Sequence, residues 1–320
     1  MRNAMKLNEK KTIIISGIPQ RIHLWAKDET KPVILFLHGG PGMPFRHKIR
    51  KHLLPLADDF VLAAIDERGA GGSFSPTLKP EDLSIDDFLA DIKEWTDYLC
   101  KRFHHKRIYL IGHSFGSFLA SRAIVENPES YAAYIGVGQI VDMPDLMEER
   151  YKMLSQKARE IGDALLIRKL EEIGSPNGGR FSTQEANDFF SSHYYAVMEP
   201  AGYPSFEKRE IKPVMRSLEY TREEKKNWLK GIALSRAATS SVIDALSLKP
   251  YGNVRKIPHY VIQGIDDISA PYPLAKEYAE KIRAPKHAFL TYTRSGHEPC
   301  FEEPERFMID VRNRFKEDVD

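Results

Sequence analysis

Apolar residues follow two rhythms along this chain. Short runs, apolar nearly throughout, recur as TIIIS at 12–16, RIHLWA at 21–26, VILFL at 33–37, FVLAAI at 60–65 and RIYLIG at 107–112. YAAYIGVG at 131–138, HYVIQG at 259–264 and HAFLTYT at 287–293 continue the series. Several of them are apolar enough to predict strands covered on both faces. Between them the spacing becomes helical. Over 84–103, Ile85, Phe88, Leu89, Ile92, Trp95 and Leu99 fall on one stripe, and Ser84 with Asp87 supplies a capping box at its start. Strands alternating with helices predict an α/β fold with a mostly parallel central sheet flanked by helices. The first two strands lie close enough to pair as an antiparallel hairpin around SGIPQ.

The alternation stops between Val141 and Lys256. Helical patterns fill 145–174, 182–198 and 221–246, separated by GSPNGGR and EPAGYPS. A crossover between parallel strands needs only a dozen or more residues. The expected organisation is therefore a core of residues 1–140 and 257–320, with an inserted helical cap at 141–256. The string REEKKNW inside the last pattern predicts a solvated helix face.

Composition narrows the function classes. With 320 residues, 42% hydrophobic and 29% charged, the chain has ample material for a core. Its 47 basic and 45 acidic residues leave a net charge of +2, which offers no electrostatic case for nucleic acid or an anionic membrane. Two cysteines are too few for a disulfide framework. The first apolar run is too short for a secretory signal, and no stretch approaches the ~18 apolar residues of a membrane span. A cytoplasmic protein acting on a small molecule or short peptide is expected.

Gly112-His113-Ser114-Phe115-Gly116 reads G-x-S-x-G between a predicted strand and a predicted helix. In that context the glycines permit a turn so sharp that the serine hydroxyl stands clear of the backbone. A serine hydroxyl is a weak nucleophile and needs a base, itself oriented by a third group. In this architecture the chain order is serine, acid, histidine. His297 follows the last predicted strand and is the expected base. Asp267 is the expected acid, three residues past Gly264 and four before Pro271; Asp266 beside it, and Asp142 and Asp145 after the preceding strand, are the alternatives. An oxyanion needs donors already aimed at it. The backbone N–H groups of Phe115 and of Gly40, in LFLHGGPG at 35–42, are the expected pair. Asp66, Glu67 and Arg68 in AAIDERGAGGSF read as a buried ion pair supporting the neighbouring loops. No metal spacing and no dinucleotide fingerprint occurs, so no cofactor is expected.

Together these residues resemble the α/β-hydrolase superfamily, and more narrowly the proline iminopeptidase family of serine peptidases. The family's HGGPG stands unaltered at 38–42, its D-Q-R-G-x-G-x-S appears from Asp66 to Ser73, and its G-x-x-D-x-x-x-P runs from Gly264 to Pro271. The resemblance implies an α/β-hydrolase fold, with Ser114 as nucleophile, Asp267 as acid, His297 as base, and Gly40 with Phe115 as oxyanion donors. It also implies an aminopeptidase whose cap carboxylates hold the free α-amine of a short peptide. Glu148, Glu149, Glu207 and Glu219 are the candidates for that role. Two positions depart from the family: G-H-S-F-G replaces the usual G-G-S-W-G, and Glu67 replaces Gln. The first is closer to general esterases, so a carboxylesterase or amidase is the alternative. A non-catalytic ligand-binding protein on the same fold is a further one.

Overall fold

A computed structural model describes residues 5–240 and 242–316. Every apolar run named above forms a strand: β1 (Leu7–Ile15), β2 (Ile18–Ala26), β3 (Val33–Leu37), β4 (Val61–Ile65), β5 (Ile108–His113), β6 (Tyr131–Val137), β7 (His259–Gly264) and β8 (His287–Tyr292). They form one sheet in the order β1-β2-β4-β3-β5-β6-β7-β8. The β1–β2 and β2–β4 pairs are antiparallel, and every later pair is parallel. β1 begins earlier than its apolar run because an edge strand needs no buried face. Its residues from Asn8 to Lys11 are exposed or half-buried while their backbone pairs with β2.

The sheet divides two apolar layers. Along β3, Val33, Leu35 and Leu37 join one cluster with Phe88, Ile92, Trp95 and Phe118. Ile34 and Phe36 join the other, with Ile49, Leu53, Phe307 and Val311. The helix Ile85–Phe103 covers the first layer with the stripe expected of it. The Asp87 amide donates to Ser84 Oγ at 3.1 Å and the Ser84 amide to the Asp87 carboxylate at 3.0 Å, closing the capping box.

Between β6 and β7 there is no strand among the described residues. The helices Met143–Ile161, Ala164–Ile173, Gln184–Met198 and Arg222–Thr239 occupy most of this segment. The apolar pattern at 145–174 contains a break that periodicity alone passes over. Gly162 takes a left-handed conformation, and Asp163 restarts the helix by accepting the Leu166 amide at 3.0 Å. Leu154, Leu166, Leu170, Phe190 and Tyr194 pack as a separate apolar cluster.

The REEKKNW string is not wholly solvated. Trp228 is buried and its indole donates to the Pro44 carbonyl at 3.2 Å, while Glu224 pairs with Arg21 at 2.8 Å. This helix lies on the loops that follow β3 and β4, so one face of a charged string is covered. Among the described residues no helix is long and apolar enough to cross a membrane.

Candidate active site

Parallel strands in register end at one edge of the sheet, and the residues with reactive side chains follow those ends. Ser114 follows β5 with φ 53° and ψ −123°, a conformation that side chains other than glycine rarely hold. The flanking glycines are required by close approach. A Cβ on Gly112 would strike the Gly116 carbonyl, and one on Gly116 would lie 2.5 Å from the Leu37 carbonyl oxygen. Ser114 caps the helix Phe115–Glu126. The Phe115 amide, at the first helical position, therefore has no intrahelical acceptor and is free to donate outward.

His297 and Asp267, 30 positions apart, meet at this edge. His297 Nδ1 donates to Asp267 Oδ2 at 2.8 Å. Asp267 is buried and accepts three further bonds: Gln263 Nε2 on Oδ2 at 2.7 Å, and the Ser269 and Ala270 amides on Oδ1, each at 2.8 Å. Burial disfavours the imidazolium, but the Asp267 charge and hydrogen bond outweigh it and raise the His297 pKa above the ordinary value. The His297 ring lies over Gly138, where an added Cβ would come 3.0 Å from it, and the Ser114 amide donates to the adjoining Val137 carbonyl at 2.9 Å. Serine and histidine thus abut the same end of β6, and both line one cavity of about 1300 Å³. Asp266 is exposed, and Asp142 caps the helix Met143–Ile161 by accepting the Asp145 amide at 2.9 Å, so neither Asp142 nor Asp145 is held on the histidine.

The loop after β3 closes over the serine. A Cβ on Gly39 would lie 2.8 Å from that of Ser114, which sets Gly40 at the cavity wall. This loop is braced from behind. Burial drops the His38 pKa to about 4, so its neutral ring donates from Nδ1 to the Gly39 carbonyl at 2.9 Å and accepts the Glu67 amide on Nε2 at 3.0 Å. The Glu67 carboxyl accepts the Gly42 amide at 3.2 Å, and burial pushes its pKa well up. Burial thus favours the neutral carboxyl, which like the carboxamide of glutamine offers both an acceptor and a donor. Its neighbours do not pair with each other: Asp66 holds Arg46 at 2.8 Å, and Arg68 holds Asp91 through two bonds of 2.7 and 2.6 Å. All three are structural supports.

A raised pKa in the folded state means that the unfolded chain releases the Glu67 proton first as pH rises, so this carboxyl costs the fold stability upward from about pH 4.5. Glu67→Gln is expected to be more stable than the parent at pH 8 and nearly equal at pH 4. Paired thermal melts at the two pH values check this.

The four cap glutamates expected from the resemblance do not line the cavity. Glu219 is buried elsewhere, against His23 at 2.7 Å and Arg50 at 3.0 Å. Glu207 pairs with Lys212 at 3.2 Å, and Glu149 lies 3.5 Å from Lys152; Glu148 is half-buried outside the cavity. A different pair converges there. Lys48 Nζ lies 2.6 Å from Glu298, next to the histidine, and 2.9 Å from Glu210 of the helical segment. Burial alone would raise the Glu298 pKa, but Lys48 holds it down at about 2. The one prior signal was the His297-Glu298 adjacency, because Lys48 and Glu210 come from distant elements. Lys48→Met leaves two carboxylates without their cation and is expected to cost about 3–5 kcal/mol in urea unfolding. His113, the residue before the serine, is buried, is held neutral by burial that drops its pKa to about 4, and donates to the His297 carbonyl at 3.0 Å.

A family model described as alpha/beta hydrolase fold matches residues 32–170. A probable aminopeptidase of Bacillus subtilis, YbaC, is 24% identical over 303 residues, covering 94% of this chain and 91% of that protein. The chain has the α/β-hydrolase fold. Proline iminopeptidases are among the proteins it resembles. One from Heyndrickxia coagulans is 23% identical over 290 residues, 87% of this chain and 88% of its own. The crystal structure of a proline iminopeptidase-related protein from Thermus thermophilus superposes with a TM-score of 0.62 at 19% identity, over 98% of each chain. This hydrolase departs from the expected pattern in its cavity carboxylates, not in its sheet.

Proposed function

We propose that this hydrolase is a serine aminopeptidase of proline iminopeptidase type, releasing N-terminal residues from short peptides. Ser114 attacks the carbonyl carbon as His297 takes its proton, and the oxyanion accepts from the Gly40 and Phe115 amides. Asp267 fixes the Nδ1–H tautomer, leaving Nε2 to accept. The C–N bond breaks as His297 returns the proton to the leaving amine; water, deprotonated by the same ring, then releases the acyl group. The helical segment 141–256 acts as a cap that excludes bulk water and selects the substrate. The observation that carries the reading is the His297–Asp267 bond beside a strained Ser114 in one cavity.

A small-ester substrate is the second reading. It is favoured by Lys48, which already neutralises Glu210 and Glu298 where a substrate ammonium would need them. Proline aryl amide, its N-blocked form and simple aryl esters separate the two. A peptidase turns over the free amine at least about tenfold better than the blocked form, as expected for a charge-assisted contact. Equal rates, or turnover of esters alone, would remove the peptidase reading. Failure of a fluorophosphonate to label Ser114 would remove the catalytic one.

A further inference from the structure

Arg150 projects from the helix Met143–Ile161 into the cavity wall. Its guanidinium has neighbours but no counter-ion. Nη2 donates to the Ser269 carbonyl and, at 3.2 Å, to the Tyr195 hydroxyl. The charged plane lies 5.4 and 5.6 Å from the ring centres of Tyr194 and Tyr195. Nε is buried with no hydrogen-bond partner, and among the described residues no carboxylate pairs with this side chain. The cations around it are answered: Lys48 by Glu210 and Glu298, Arg209 by Glu199 at 3.2 Å, and Lys157 by Glu160 at 3.7 Å. Arg236 stands exposed to water.

A half-buried cation that has lost hydration gains most from an anion, and a guanidinium fork matches a carboxylate in shape and charge. The location says which end of the substrate supplies it. Ser269 belongs to the loop whose amides hold Asp267, and the Arg150 charge is felt at His297. Arg150 therefore stands on the histidine side of Ser114. The leaving group must face that side, because it takes its proton from His297. In a dipeptide the leaving amine and the terminal carboxylate share one carbon, so a group that meets the carboxylate must sit near the histidine.

We infer that Arg150 receives the free C-terminal carboxylate of a dipeptide, making this a hydrolase that prefers dipeptides with an uncapped end. The inference rests on the peptidase reading above. Comparing kcat/KM for prolylglycine and prolylglycinamide in the parent, Arg150→Met and Arg150→Lys tests it. The parent is expected to favour the free acid by on the order of ten- to a hundredfold, the worth of a hydrogen bond to a charged group. Arg150→Met brings the ratio near one, and Arg150→Lys keeps part of it. A parent ratio near one overturns the inference while leaving the peptidase reading intact. So does an Arg150→Met variant that loses activity equally on both substrates, since a residue that only braces the Asp267 loop would behave that way. Release from neither peptide removes the peptidase reading and this inference together.

Discussion

Ser114→Ala is expected to lower kcat/KM by on the order of 10⁵–10⁶-fold while leaving the fold intact. The hydroxyl is the only atom lost, and the bonds that hold the turn are made by backbone. The Ser114 amide still donates to Val137, and the Ser114 carbonyl still accepts the Ser117 amide at 2.8 Å. Alanine does not relieve the positive φ, so stability should scarcely change, and an unchanged circular dichroism melt separates lost chemistry from lost structure. Residual activity within about tenfold of the parent would mean that another group is the nucleophile.

The second large effect is expected from Asp267→Asn, a loss on the order of 10⁴-fold in kcat. Every donor around this carboxylate is committed. Oδ1 accepts two backbone amides, which cannot turn away. The asparagine NH₂ must therefore take the Oδ2 position, where it meets Gln263 Nε2 and His297 Nδ1–H. Gln263 cannot rotate its amide without loss, because its Oε1 accepts the Gln139 amide at 2.9 Å and its Nε2 also donates to the Ala270 carbonyl at 2.7 Å. The imidazole is the group left to yield. It moves its proton to Nε2, the atom that must accept from serine. The same substitution should displace the pH profile. A general base works when neutral, and the folded enzyme raises the His297 pKa, so the acid limb of kcat/KM in the parent should lie above the 6.5 of a free imidazole. Removing the carboxylate charge takes away what outweighs burial, and the limb should move down. A limb that stays in place in Asp267→Asn would show that another group orients His297.

Much of this site was legible in one dimension because its geometry is local. Gly112 and Gly116 are demanded by a turn five residues long, and Gly264 by the close passage of the Ser295 and Gly296 backbone across the end of β7. Such constraints leave a signature wherever they occur. The capping box at Ser84 and the apolar runs of β3 to β7 are of the same kind: a strand buried on both faces must be apolar, whatever covers it. The cavity wall opposite Ser114 was not legible. Glu207 and Glu210 differ by three positions in one charged string, yet one pairs with Lys212 outside the cavity and the other with Lys48 inside it.

The sequence by itself determined the succession of strands and helices, the sharp turn at Ser114, and the placing of Asp267 and His297 just after strand ends, because each follows from short-range sterics or from position along the chain. Only the tertiary structure decided which carboxylates and cations face the cavity. That choice depends on how the helices between β6 and β7 dock and rotate against the sheet, a sum of many weak apolar contacts that no short stretch of charged residues records.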